Sequence, residues 1–281
     1  AGRTADGYQP ILLVGEEGAG KEAVARFIHR AGRRPSERFI TVDLAAVPPV
    51  RIEPVLFGDV PGTGRAGLVA DADGGTLLLN GIEHLPAPAQ VLLLHTLDQA
   101  AAGGGPGARS GVRLIATASG PLDERVHAGT FRVDLFDRIR THQFTLPPLR
   151  ERREDIPALA THFLAQASAR VGRPFSLTAR ALGRLVEYGW PGNISELRHV
   201  LERAAVLVIG NAIDAGDLAL GSARTDLTSG TDALKGHVES AERAAIARAL
   251  SAAAGNRRTA ARALGISLRT LFYKLRRYDL D

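Results

Sequence analysis

The sequence predicts a chain in three parts: an α/β unit with a parallel sheet around a phosphate loop, a helical unit behind it, and an all-α helix-turn-helix unit at the C-terminal end. Three observations carry this prediction. From Pro10 to about Pro147 apolar strand-like runs alternate with helical stretches, the order that builds a parallel sheet covered on both faces. The run GEEGAGKE, Gly15 to Glu22, follows the first of those strands and opens the first helix. All excess positive charge lies in the last fifth: residues 232 to 281 hold 10 of the 35 Lys and Arg but only 5 of the 30 Asp and Glu. That is the footprint of a small module that meets a polyanion.

The elements follow in order. "ILLVG" is a strand, a helix runs from Lys21 to Ala31, and "RFITVDL", "GGTLLLN", "VRLIATA" and "HQFTLP" are further strands. After Arg150 the pattern turns helical, near Asp155 to Val171, Thr178 to Tyr188 and Ile194 to Leu207. "GSARTDLTSGTD", Gly221 to Asp232, is small, polar and aperiodic, so it reads as a flexible linker. The predicted divisions are 1–149 for the α/β unit, 150–220 for the helical unit, 221–232 for the linker and 233–281 for the DNA-binding unit.

Composition removes several classes of function. No apolar run nears the roughly 18 residues of a membrane-spanning helix, and "AGRTADGYQP" lacks a signal peptide's apolar centre, so a cytoplasmic protein without a membrane partner is expected. The absence of cysteine excludes disulfides and thiolate metal sites, and the eight histidines are not clustered, so no structural metal site is expected. There is no methionine, even at position 1, and the sequence reads as a piece of a longer protein.

Gly15, Glu16, Glu17, Gly18, Ala19, Gly20, Lys21 and Glu22 are the candidate nucleotide-binding residues. Glycines let backbone N–H groups turn toward phosphate oxygens, the helix N-terminus adds partial positive charge, and Lys21 reaches the outer phosphates. The competing reading is a plain glycine turn between strand and helix. Glu22 stands where the motif has Ser or Thr and cannot give Mg²⁺ a hydroxyl, so any Mg²⁺ is expected to be weakly held or absent.

In "AGNRRTAARALGISLRTLFYKLRRYDL", Ala254 to Leu280, Asn256 and Ser267 can cap two helices joined through Gly265. Leu268, Leu271, Phe272 and Leu275 form the inward face of the second helix, at i, i+3, i+4 and i+7. Its other face gathers Arg269, Thr270, Tyr273, Lys274 and Arg277, suited to a major groove. Arg269, Thr270 and Tyr273 are assigned to base edges, and Arg257, Arg258 and Lys274 to phosphates. The competing reading is a basic packing or dimerisation bundle. The helix Val238 to Ala252 offers Ile246 and Leu250 for pairing, and a dimer would bind an inverted repeat.

These residues resemble the AAA+ central domains of bacterial enhancer-binding proteins, the NtrC-like activators of sigma-54 RNA polymerase. Besides the loop, the resemblance rests on "ADGGTLLL", "FRVDLFDRI", "LPPLRERREDIPALATHFL" and "WPGNISELRHVLERAAVL" in the family's order, with a Fis-type helix-turn-helix at the end. It covers nearly the whole chain. The family implies an AAA+ sheet with a helical lid, ATP or ADP at the loop, and homo-oligomers with nucleotide between subunits.

The sequence departs from that family at its chemistry. The Asp-Glu pair that holds Mg²⁺ and polarises the attacking water falls at Asn80 and Gly81. The sensor asparagine and the threonine before it fall at Ser119 and Ala118, and the lid arginine falls at Ser195. The asparagine that restrains the catalytic acid is Asp43, read as drift and not as compensation. Glu83 and His84 are expected to face away from the site. Arg132 and Arg138 match the arginines that reach a neighbouring subunit's phosphates; the competing reading makes them solvated surface arginines. Between "LFG" and "ADGGT" the family's GAFTGA loop, which contacts sigma-54, is missing, and "PGTGRAG" reads as a connecting turn.

The resemblance therefore implies a DNA-binding regulator whose AAA+ unit binds nucleotide to control assembly and hydrolyses it poorly or not at all. It would bind double-stranded DNA, assemble at least as a dimer, and act with the housekeeping RNA polymerase. One alternative is an ATP-hydrolysing sigma-54 activator, in which Asp43 or Glu83 would have to restore the chemistry and another loop replace GAFTGA; the other is a cyclic di-GMP-responsive regulator, which no residue pattern selects.

Overall fold

The computed structural model describes residues 9–32, 35–58, 67–102, 111–208, 210–221 and 257. The chain divides into two compact units, Ala1–Ala219 and Leu220–Asp281. The expected linker beyond residue 221, the helix Val238 to Ala252, the helix-turn-helix, and Arg258, Arg269, Thr270, Tyr273, Lys274 and Arg277 lie outside the described residues, as does most of "PGTGRAG". Arg257 is helical and exposed.

The first unit runs β1 (Ile11–Val14), α1 (Lys21–Arg30), β2 (Phe39–Asp43), α2 (Pro49–Phe57), α3 (Leu68–Asp71), β3 (Thr76–Asn80), α4 (Ala87–Ala102), β4 (Arg113–Ala118), α5 (Asp123–His127), α6 (Val133–Ile139) and β5 (His142–Thr145). The helical part adds α7 (Ile156–Val171), β6 (Ser176–Leu177), α8 (Ala179–Glu187), α9 (Asn193–Leu207) and β7 (Ala212–Ile213).

The five long strands form one sheet in the order β2-β3-β4-β1-β5, every pair parallel, as the strand-helix alternation requires. Alternate residues serve opposite faces. Leu12, Leu77, Leu79, Leu114 and Ala116 pack under Leu56 of α2, Leu93 and Leu97 of α4, and Leu135, Phe136 and Ile139 of α6. Ile11, Leu13, Leu78 and Ile115 pack with Ala25 and Ile28 of α1 on the other side. All strands end at one edge, with Val14 beside Ala118 and Asp43 beside Asn80. That edge, where β1 sends its loop into α1, is where doubly covered parallel sheets place ligands.

In the helical part, Thr178 caps α8 by accepting the Ala181 N–H, and Trp190 is fully buried with its indole N–H donated to Leu185 O at 2.8 Å. Among the described residues no helix is long and apolar enough to cross a membrane.

Candidate nucleotide-binding site

The loop leaves the sheet at Gly15, whose N–H donates to Ala118 O at 3.1 Å, tying it to the end of the neighbouring strand. Gly18 and Gly20 turn the chain through the left-handed region at φ +72 and +95, and α1 begins at Lys21 with no side chain capping its first N–H groups. Lys21 folds back across the loop and donates to Gly15 O at 2.6 Å and Glu16 O at 2.9 Å. Burial lowers its pKa, while the carboxylates of Glu83 and Glu17 oppose that shift.

These features fit a nucleotide's phosphates: an uncapped helix start, a lysine already drawn over the loop, and two glycines in left-handed backbone. Glu22 accepts two hydrogen bonds from Arg26, at 3.0 and 2.7 Å, one turn along the exposed face of α1. Among the described residues no group of three His, Cys, Asp or Glu could hold a metal ion.

At the end of β3, Asn80 and Gly81 are held by Thr117 of β4. The Gly81 N–H donates to Thr117 Oγ at 3.2 Å, and that hydroxyl donates to Asn80 Oδ1 at 3.3 Å. Asp43 accepts the Ala45 N–H at 3.1 Å, so its carboxylate caps its own turn. One expectation needs correction. Glu83 does not face away: its Oε1 accepts the Ser119 N–H at 3.0 Å, over the end of β4 beside the loop, and its Oε2 is buried without a hydrogen-bond partner. Gly81 explains the difference, because at φ +70 it turns the chain out of β3 into a short helical turn, Ile82–His84, that folds back over the sheet edge.

The sequence reading missed the residues that join the loop to the helical part. Arg150 makes a two-pronged ion pair with Glu16, at 2.8 and 2.6 Å, and Arg152 donates to Ala19 O at 2.6 Å. Asn193 is fully buried with φ +52; its Oδ1 accepts the Leu149 N–H, and its amide donates to Glu16 Oε2 at 3.1 Å and Glu17 O at 2.9 Å. The bonds from Arg150 and then Asn193 hold the Glu16 carboxyl down to about 2. The first amides of α9, from Ile194 and Ser195, point at Gly18 O at 3.0 and 3.4 Å, so the loop satisfies a helix N-terminus that no side chain caps. Ser195 lies against Gly18, from which a Cβ would stand 3.1 Å from its own. The signal that could have revealed Asn193 was "WPGN", since Asn is among the few residues that enter left-handed backbone readily.

Arg132 and Arg138 stand apart from this cluster in contacts and each has a local partner. Arg132 pairs with Asp134 at 2.6 Å, half-exposed, and Arg138 meets Leu97 O at 3.3 Å and Asp98 at 3.4 Å.

Known proteins resemble the chain along its length. The sigma-54 interaction domain matches residues 1–145, the AAA+ ATPase lid domain residues 150–233, and the Fis family of bacterial regulatory proteins residues 237–278. The response regulator protein PilR of Pseudomonas aeruginosa is 37% identical over 296 aligned positions, which take in all of this chain and 66% of PilR. The regulatory protein AtoC of Escherichia coli is 39% identical over 290, covering 96% of this chain and 63% of AtoC. The chain thus spans somewhat less than two thirds of the length of these relatives. Among solved structures, NtrX from Brucella abortus in complex with ADP superposes with a TM-score of 0.71 at 30% identity, covering 99% of this chain and 66% of NtrX. NtrX in complex with ATP gives 0.69 at 30% identity, covering 99% and 65%. With a sheet, a lysine loop and a lid arranged in that order and matched throughout, the chain belongs to the sigma-54 interaction domain family of AAA+ transcription regulators.

Proposed function

We propose that this chain is a DNA-bound transcription regulator whose AAA+ unit takes ATP or ADP at Gly15–Glu22 and uses the nucleotide to control assembly, with turnover slow or absent. The observation that carries the reading is a well-formed phosphate loop beside a sheet edge that offers Asn80 and Gly81, an amide and a bare backbone, where acids would hold a metal and activate water. The relative NtrX, crystallised with ADP and with ATP, supports the choice of ligand. Because the loop's tip is fastened to the lid by Arg150, Arg152 and Asn193, filling the loop would be felt at the lid. A nucleotide shifts assembly by its difference in affinity for the two states, which needs no hydrolysis. The Fis-type segment would bind double-stranded DNA as an inverted repeat through Arg257, Arg258, Arg269, Thr270, Tyr273, Lys274 and Arg277, with at least two copies of the chain. Lacking GAFTGA, the chain would serve the housekeeping polymerase. A sigma-54 activator is the second reading, favoured by the sigma-54 domain match over residues 1–145.

The test measures ATP binding, ADP binding and ATP turnover on one sample, with Lys21→Ala as control. Binding lost in the variant, with wild-type turnover about 10² or more below that of an intact AAA+ ATPase, is the expected result, since a positioned base is worth about 10² to 10⁴ in rate. Lysine-dependent turnover at an intact motor's rate favours the second reading, and wild-type protein that binds neither nucleotide sinks both.

A further inference from the structure

We propose that Glu83 is the carboxylate that orders and deprotonates water at the terminal phosphate of ATP, reaching over the sheet edge to the place that Gly81 leaves bare. This rests on the reading that the loop holds ATP.

Three observations meet at Glu83. Its Oε1 is fixed by the Ser119 N–H at 3.0 Å, over the end of β4, the strand whose Ala118 O also receives the Gly15 N–H of the phosphate loop. Its backbone is fixed too, because Glu83 O accepts Arg125 Nη1 at 3.1 Å. Its Oε2 is buried with no hydrogen-bond partner, so a rigidly held carboxylate leaves one oxygen unmet at the edge of the loop. The Glu83 charge also favours the protonated form of Lys21, as expected for neighbours in one site.

The chemistry narrows the occupant. A carboxylate only accepts hydrogen bonds, so it is repelled by phosphate oxygens and its unpartnered oxygen calls for a donor. At the edge of a site filled by ATP, with no side chain at Gly81, that donor is water. In the step proposed, the water oxygen attacks the γ-phosphorus and passes a proton to Glu83 Oε2. The bond between the γ-phosphorus and its bridging oxygen breaks, leaving ADP and inorganic phosphate, and Glu83 then returns the proton to solvent. Lys21 and the start of α1 hold the phosphates meanwhile. The missing acid at 81 and the acid at 83 are thus linked, since the left-handed turn that only glycine makes cheaply is what carries Glu83 back over the edge.

The experiment uses the whole chain with magnesium ATP, comparing wild type, Glu83→Gln and Lys21→Ala. Both turnover and binding of a fluorescent ATP analogue are read. Glutamine can still accept the Ser119 N–H, so Glu83→Gln should keep ATP affinity within about threefold while turnover falls at least about 10²-fold, the low end of what a positioned proton acceptor is worth. Three outcomes overturn the proposal: turnover unchanged in Glu83→Gln, wild type that binds ATP without lysine-dependent turnover, or ATP affinity lost in Glu83→Gln, which would make the carboxylate a mere counter-ion for Lys21. Wild type that fails to bind ATP would overturn the nucleotide reading beneath it and is told apart by the binding trace.

Discussion

Gly81 sits at φ +70 and ψ 52, and a Cβ built there would stand 3.1 Å from the His84 ring. An acid placed here would therefore meet a left-handed turn as well as the His84 ring. Glu at this position must occupy left-handed backbone, at about 1–2 kcal/mol, and push against His84. Gly81→Glu should lower unfolding free energy by about 1–2 kcal/mol and leave ATP turnover at or below the wild-type level. A urea titration with a turnover assay on the same variant checks this, and a large gain in rate at unchanged stability would show that the backbone relaxes to the ordinary strand exit. The sequence told which side chains were absent, at Asn80, Gly81, Ser119 and Ser195, because identity is written in the letters. It did not tell where Glu83 points, because that direction is set by one dihedral two residues earlier.

Elements with strong local signals matched their sequence reading closely. The helix expected over Thr178 to Tyr188 is Ala179–Glu187 with Thr178 as its cap, and the strands of "ILLVG" and "GGTLLLN" lie where their apolar runs end at glycine or asparagine. Less legible was α4, whose run of Val91, Leu92, Leu93 and Leu94 shows no polar side to mark a helical period, since the structure buries Leu93 and leaves Val91 and Leu92 partly exposed. Contacts between distant elements were invisible for another reason: nothing local requires α9 to aim its first amides at Gly18 O, 176 residues before Ile194. Asn193 tests how much that joint is worth. Asn193→Ala deletes an acceptor for the buried Leu149 N–H and two donors to the loop, so it should cost about 1–3 kcal/mol, the usual penalty of one unmet buried group. It should also uncouple lid from loop, read as hydrogen exchange that speeds up at residues 15–19 and at the start of α9 together. Faster exchange at only one of the two would mean that Arg150 and Arg152 carry the joint without it.

For the whole molecule, charge divides as the chain does: the first 231 residues carry 25 charges of each sign, and the excess lies beyond them, in the stretch that holds the Fis-type match. A neutral α/β and lid stretch and a basic C-terminal stretch call for separate tests. Phosphate contacts set affinity and its salt dependence, while base contacts set sequence preference. Arg257, exposed and assigned to phosphate, and Arg269, assigned to a base edge, should therefore fail differently. Arg257→Ala should weaken binding to specific and random duplexes alike and reduce the slope of log K against log salt by about 0.9, one released counterion. Arg269→Ala should cost about 1–3 kcal/mol on the preferred inverted repeat, flatten discrimination at one base pair in each half-site, and leave random-duplex affinity nearly unchanged. Fluorescence anisotropy over a series of salt concentrations, on both duplexes, separates the two. Equal losses from both variants on both duplexes would place Arg269 on the backbone and overturn the groove orientation proposed from the sequence spacing of Leu268, Leu271, Phe272 and Leu275.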